Sequence, residues 1–295
     1  MTNNIETHLS KNKDILIYIN GSLHRRQDAK ISVYDSGFLM GDGIWEGLRL
    51  LNGSWIFLDE HLDRLFEGLK AIDINLPMSK NDVIAALEKT RAANNMDTNA
   101  HARLMVTRGE KSKPFQQPDL SIDGPSLVII LEHSDDAKPT KGITLATVPQ
   151  VRGLPTSQDP KLNSHSKLNC ILACIQAKKI GADEALMLDP HGFVNTTNSC
   201  NFFIVKNGEV YTSSGDYCMN GITRKKVIHV CKQNSITIHE KNFSLVDVYS
   251  ADEAFITGTL GSLRHVVSID GRQIGDSIAP GPINTMLKKL YIELH

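Results

Sequence analysis

"GLRLLNGSWIFLDEHLDRLFEGLKAID", residues 47–73, changes its hydrophobic period in the middle. Up to Phe57, strand-forming residues flank Asn52-Gly53, a pair that supplies the two left-handed residues a tight hairpin needs. From Leu58 onward, Leu62, Leu65, Phe66 and Leu69 recur at three–four spacing, which predicts a helix. A hairpin feeding a helix is the signature of an α+β fold, and the rest of the chain repeats it. Asn20-Gly21 separates "DILIYI" from "SLHRRQ", Asn207-Gly208 separates "NFFIVK" from "EVYTS", and Asp270-Gly271 separates "HVVSI" from "RQIGD". Further helices are predicted over 79–95 with Ser79 as cap, over 166–181, over 221–234 and over 278–294. Ser164 or Ser166 suits as the cap of the second of these, and Gly181 stops it. Strands "HARLMVTRG", "SLVIILEH" and "GITLATVPQVRG" lie between. The polar piece "SDDAKPTKG", 134–142, reads as a linker. The expected layout is a small N-terminal α/β domain, 1–133, and a larger C-terminal domain, 143–295. Both carry mixed, largely antiparallel sheets with flanking helices.

The composition is that of an ordinary globular protein: 41% hydrophobic, 22% charged, net charge −1 over 295 residues. So balanced a charge gives no footprint for nucleic acid. No apolar run approaches the roughly 18 residues of a membrane span, and the polar start "MTNNIETHLSKNKD" lacks the apolar core of a secretory signal. Five cysteines without a tight pairing pattern suit a reducing, cytoplasmic setting. Cys170 and Cys174 are four apart on a predicted helix with no matching Cys/His pair, so they read as apolar packing and no metal site is expected.

Four stretches carry possible chemistry. "YDSGFLMGDGIWEGLRL", 34–50, holds four glycines, which suits a tight turn or a close backbone approach. In "HLDRL", His61 and Arg64 share a helix face, and Arg64 is either a solvated charge or an anion ligand. In "NGITRKKV", Gly221 opens a helix and leaves the N–H groups of Ile222 and Thr223 free at its positive end, a ready phosphate site. In "FITGTLGSL", Thr257, Thr259 and Ser262 end a strand and either close local turns or contact phosphate. No Walker pattern and no strand-linked Gly-x-Gly-x-x-Gly accompanies them.

In this order, "YDSGFLMGDGIWEGLR", "HLDRL", "GADEALMLD…GFV", "NFFIV", "NGEVYTS" and "NGITR" resemble the class IV pyridoxal-phosphate aminotransferases. That family includes branched-chain and D-amino acid aminotransferases and aminodeoxychorismate lyase. The resemblance runs from about residue 15 to 290. It implies a two-domain D-amino acid aminotransferase-like fold with pyridoxal 5'-phosphate in the interdomain cleft, and a homodimer. By the same resemblance Arg64, the amides of Ile222 and Thr223, and Thr259 would bind the cofactor phosphate. Phe38 and Trp45 would line the substrate pocket. Lys113 falls near the place where D-amino acid enzymes put a carboxylate-binding arginine from the partner subunit.

Two departures stand out. Where the family has Glu beside the pyridine nitrogen, "GFVNTTNSC" has Thr196, a hydroxyl that hydrogen-bonds but brings no charge, so a weaker electron sink is expected. The family's Schiff-base lysine follows the arginine of a strand like "VPQVRG". Counting eleven residues forward from Arg152, or without gaps backward from the family position matched by Gln176-Ala177, reaches Asn163 instead. If 160–163 end a strand, Lys161 points to the same side as Asn163, about 6.6 Å along it. Lys161 is therefore the expected catalytic lysine, by a two-residue shift. Lys167 would need a whole helical turn, and without any shift there is no attachment lysine. The lysine's role would be to hold the cofactor and shuttle a proton at the substrate α-carbon.

The expected function is a pyridoxal-phosphate-dependent aminotransferase that takes an amino acid of branched-chain or D-amino acid type, or a primary amine, as amino donor and a 2-oxo acid as acceptor. A lyase on the same scaffold, or a cofactor-binding protein with weakened turnover, are the alternatives that the departures raise.

Overall fold

The computed structural model describes residues 2–134, 142–275 and 279–295. Of the expected linker 134–142, residues 135–141 lie outside the described residues. Packing divides the chain into two units, Met1–Asp136 with Asn163–Ser166, and Ala137–Leu162 with Lys167–His295.

The first unit contains α1 (Thr2–Lys11), β1 (Leu16–Ile19), β2 (Ser22–Arg25), α2 (Ser36–Met40) and β3 (Gly43–Leu51). It continues with β4 (Ser54–Trp55), α3 (Leu58–Ala71), α4 (Lys80–Ala93), β5 (Ala100–Thr107) and β6 (Ser126–His133). Its sheet is antiparallel throughout, in the order β2-β1-β6-β5-β3-β4. Both predicted hairpins close on two-residue turns, with Asn20, Gly21, Asn52 and Gly53 all at positive φ. α4 starts at Ser79 with a capping box to Asp82, as its sequence predicts. α3 lies on β3 and buries Leu62, Leu65 and Leu69, each contributing about 1.5–3 kcal/mol by the area it removes from water. Phe66, expected on that stripe, is only partly buried. Gly68 permits the close approach: a Cβ there would stand 3.1 Å from Ile44 Cγ2.

The second unit contains β7 (Ile143–Thr147), α5 (Pro155–Gln158), α6 (Leu168–Ile180), β8 (Glu184–Leu188), β9 (Val194–Thr197) and β10 (Asn201–Lys206). There follow β11 (Glu209–Thr212), α7 (Ile222–Gln233), β12 (Ile238–Glu240) and α8 (Leu245–Tyr249). The unit ends with β13 (Glu253–Gly258), β14 (Ser262–Ile269), β15 (Arg272–Gln273) and α9 (Pro282–Ile292). Strands run β12-β11-β10-β13-β14-β7-β8-β9, and β9 also pairs with β10. The sheet therefore returns on itself around a core that includes Leu145, Leu186, Val194, Phe202, Ile256 and Val266. The turns at Asn207-Gly208 and Asp270-Gly271 again have both residues at positive φ.

Two local expectations change. Residues 160–162 turn and bend, so 160–163 do not end a strand, and the backbone N–H of Lys161 donates to Asp159 Oδ1 at 2.9 Å. α6 begins after Lys167 with no side-chain cap, not after Ser164 or Ser166. Those serines are engaged elsewhere, because Asn163–Ser166 packs within the first unit. α6 also buries Ala173 and Ala177 while Leu168, Ile171 and Ile175 stay exposed. Small residues let the helix sit close on its sheet, so its large apolar residues face outward.

Candidate active site

In the second unit, three polar residues stand in register across neighbouring strands. Thr196 on β9 is paired with Asn201 on β10, and Asn201 with Thr257 on β13. Two strand spacings separate the ends of this row by roughly 10 Å. Asn201 is its hinge to a helix. Its Oδ1 accepts from the Gly221 N–H at 3.2 Å, and its Nδ2 donates to Met219 O at 2.9 Å. A Cβ on Gly221 would collide with Asn201 Oδ1, so glycine is what lets α7 start here.

α7 carries no side-chain cap, and Ile222 and Thr223 occupy its first turn in largely buried positions. Uncapped N–H groups at a positive helix end favour an anion. Thr257 Oγ1 is buried without a hydrogen-bond partner among the described residues. Such an orphan costs about 1–3 kcal/mol, which a ligand oxygen or a water would recover. Thr259 follows, half-buried, two residues past Thr257. This donor set fits a phosphate ester. At the other end of the row, the Thr196 hydroxyl donates to Cys200 O at 2.7 Å. Its single proton is thereby spent, and it presents only lone pairs to a neighbour. That suits a protonated ring nitrogen as a neutral acceptor, without the charge of a carboxylate.

In the first unit, the charge on α3 is organised by a residue that the sequence reading did not single out. Glu46 on β3 is fully buried. It accepts from Arg64 Nε and Nη2 at 2.7 Å each and pairs with His61 Nδ1 at 2.7 Å. Burial pushes the Glu46 carboxyl up, but the Arg64 and His61 bonds outweigh it and hold the group below the usual carboxylate range. A detectable signal was present: Ile44, Glu46, Leu48 and Leu50 are the inward set of β3, and one of the four is charged. Arg64 is thus a fixed, oriented cation rather than a solvated one.

Trp45 points to the opposite face of β3 from Glu46, so Arg64 and the Trp45 ring are not brought together. On the Trp45 face, the Arg103 guanidinium stacks 3.3 Å from the indole centroid. Arg103 makes no hydrogen bond or ion pair among the described residues, and burial pulls its guanidinium below its usual range. It too escaped the sequence reading, because the alternation of "HARLMVT" assigns Arg103 to a solvated face. Its neighbour His101 is pushed down to about 4 by burial, by Arg103 and by His61, and is neutral near pH 7. Phe38, 74% exposed, borders a groove of about 340 Å³ together with Ile19, Ile31, Met105, Val128 and His165. Met105 is directly opposite Trp45, so Phe38 and Trp45 share this face.

Lys113 is exposed on the loop after β5. The neighbouring Lys111 is the buried lysine, donating to Gln117 O at 2.9 Å. Lys161 is exposed in the second unit, and Lys167 precedes α6. Asn163 is 3% exposed and bound to Trp45 twice. Its carbonyl accepts from the Trp45 N–H at 3.0 Å, and its Nδ2 donates to Trp45 O at 2.7 Å. The phosphate end of the expected cofactor therefore has a fitting donor set, whereas the expected lysine position is filled by a locked amide. Among the described residues no His/Cys/Asp/Glu group could hold a metal, and no helix is long and apolar enough to cross a membrane.

Comparison with known proteins identifies the relatives of this chain. Residues 43–269 match the model of the amino-transferase class IV family. The chain is 38% identical over 285 residues to a putative branched-chain-amino-acid aminotransferase of Methanocaldococcus jannaschii, covering 94% of this chain and 96% of that protein. It is 34% identical over 281 residues to a D-alanine aminotransferase of Listeria monocytogenes, covering 94% and 95%. Branched-chain-amino-acid aminotransferase-like protein 1 of Arabidopsis thaliana is 37% identical over 285 residues, 96% of this chain but 51% of that protein. The chain thus spans about half the length of the Arabidopsis relatives it matches. Among solved structures, a T.th. branched-chain amino acid aminotransferase with pyridoxamine 5'-phosphate superposes with a TM-score of 0.87 at 26% identity, over 95% of this chain and 94% of that one. The chain belongs to the class IV aminotransferase family.

Proposed function

We propose that this chain is a pyridoxal-phosphate-dependent aminotransferase that moves an amino group between an amino acid and a 2-oxo acid. The observation that carries the reading is the uncapped start of α7, tied by Asn201 to a strand row ending in the orphaned hydroxyl of Thr257. When bound, pyridoxal phosphate supplies a ring that draws negative charge away from the substrate α-carbon. In the second unit, the amides of Ile222 and Thr223 with the hydroxyls of Thr257 and Thr259 would bind its phosphate, and Thr196 would accept from its ring N–H. In the first unit, Glu46 holds Arg64 ready as a cation for an anionic group.

Arg103, a half-buried cation with no carboxylate of its own, suits a substrate carboxylate, and the groove beside Phe38 suits an apolar substrate side chain. The curated relatives are named for branched-chain and for D-alanine transfer, and both substrate types fit an apolar groove beside a cation. We assign the active form to a homodimer in the cytoplasm, where the five free cysteines would remain reduced.

The test loads the purified chain with pyridoxal phosphate and offers branched-chain L-amino acids, D-alanine and D-glutamate in turn. Accumulation of pyridoxamine phosphate with at least one donor, and its return with a 2-oxo acid, is the expected result. Binding of neither cofactor form, or no pyridoxamine phosphate with any donor, removes the reading.

A further inference from the structure

We infer that the chain holds its cofactor without a covalent bond, as a dissociable co-substrate. The inference rests on the proposed cofactor and concerns how it is retained; the proton transfer at the substrate α-carbon would then fall to a group other than an attachment lysine. Unshifted counting puts Asn163 where the family's attachment lysine falls, and a lysine reaches that position only if the segment slides. The fold opposes a slide.

Residues 163–166 are bonded to residues 41–45 at every step. Asn163 O and Nδ2 bond the backbone of Trp45 at 3.0 and 2.7 Å, and Trp45 Nε1 donates to Ser164 O at 3.2 Å. The His165 N–H donates to Gly43 O at 2.9 Å, and Ser166 Oγ donates to Gly41 O at 3.1 Å. A two-residue slide that seated Lys161 would break all of these; the backbone bonds could re-form in the new register, but the bond from the Asn163 amide to Trp45 O could not. It would also put Leu162 and Asn163 where Ser164 and His165 now bond. The Lys161 side chain meanwhile stays exposed, with its own N–H closed on Asp159. Seating Lys167 would require unwinding the first turn of α6, whose bond from Ile171 N–H to Lys167 O at 2.9 Å anchors that end. Asn163 also keeps Oδ1 buried with no partner among the described residues, so the site is held by an amide that cannot act as an amine nucleophile.

Retention then falls to the phosphate cup. The aldehyde and amine forms carry the same phosphate, so they should bind within about tenfold of each other, which is about 1.4 kcal/mol. Each form should exchange freely with solution.

The experiment incubates the full chain with one equivalent of pyridoxal phosphate and adds borohydride, which makes any lysine–cofactor bond permanent. It then reads the intact mass after denaturation. In parallel, equilibrium dialysis measures binding of both forms to the untreated chain. Binding of both forms with adduct on fewer than about one chain in ten supports the inference, and Asn163→Lys should then carry adduct on most chains. Displacement of bound pyridoxal phosphate by excess pyridoxamine phosphate supports it independently, should Asn163→Lys fail to fold. Stoichiometric adduct mapped to Lys161 or Lys167 overturns the inference and leaves the aminotransferase reading intact. Absence of binding by either form overturns both.

Discussion

Replacing Glu46 with Gln removes one buried charge and almost no volume, so its effect isolates the electrostatic role of that carboxylate. Glu46 is fully buried and receives two bonds from Arg64 and one contact with His61 Nδ1, all at 2.7 Å. A glutamine oxygen can accept from one Arg64 nitrogen, but its NH2 must then face a second donor. Arg64, with its side chain only 18% exposed, then loses one of its two bonds to residue 46 and the charge that faces it. Breaking a buried pair from one side costs about 3–5 kcal/mol. At about 2–4 °C per kcal/mol for a domain of this order, the thermal midpoint should fall by roughly 6–20 °C. Calorimetry of the apo chain reads this directly. The sign with pH is fixed as well. The Glu46 carboxyl is held below its usual range, so its stabilisation is present above the unfolded-state value near 4.5 and is lost as pH falls through the folded value. The gap between parent and variant should therefore close in acid. Removing the cation too, in Glu46→Gln with Arg64→Met, should recover part of the loss. A Glu46→Gln midpoint within about 2 °C of the parent at neutral pH would refute the reasoning, because that shift corresponds to at most about 1 kcal/mol against the 3–5 expected.

Other outcomes follow from the same contacts. Thr257→Val replaces an orphaned buried hydroxyl with a methyl, so the apo chain should gain about 1 kcal/mol and its midpoint should rise, while affinity for pyridoxamine phosphate falls; a lower apo midpoint would contradict the assignment. His101, pushed down to about 4 from 6.5, stays neutral in the folded chain while the unfolded chain takes up a proton. Stability should therefore drop as pH falls from about 6.5 towards 4, and His101→Gln should flatten that part of the denaturation-versus-pH curve.

The features legible from the sequence are those governed by local torsions. Asn20-Gly21, Asn52-Gly53, Asn207-Gly208 and Asp270-Gly271 each ask for two left-handed residues, a demand met within the pair whatever surrounds it. Ser79 capped α4 for the same reason, since its partner Asp82 is three residues away. The start of α7 at Gly221 was equally readable, and with the motif order it led to the family.

Local pattern failed where the deciding partner lay far along the chain. Ser164 and Ser166 look like helix caps, yet residues 163–166 find their partners on β3 and at Gly41 just before it, with Asn163 and Trp45 118 positions apart. Periodicity marked α6 as apolar on one face but could not say that Ala173 and Ala177, rather than its large residues, would meet the sheet. Thr196, Asn201 and Thr257 become a row only through strand register, and Arg64 becomes an oriented cation only through Glu46, eighteen positions away on another element. The sequence by itself determined the Asn-Gly and Asp-Gly turns, the starts of α4 and α7, and the family. The tertiary structure decided which polar groups meet, because a hydrogen bond between distant residues depends on register and packing that no local torsion encodes.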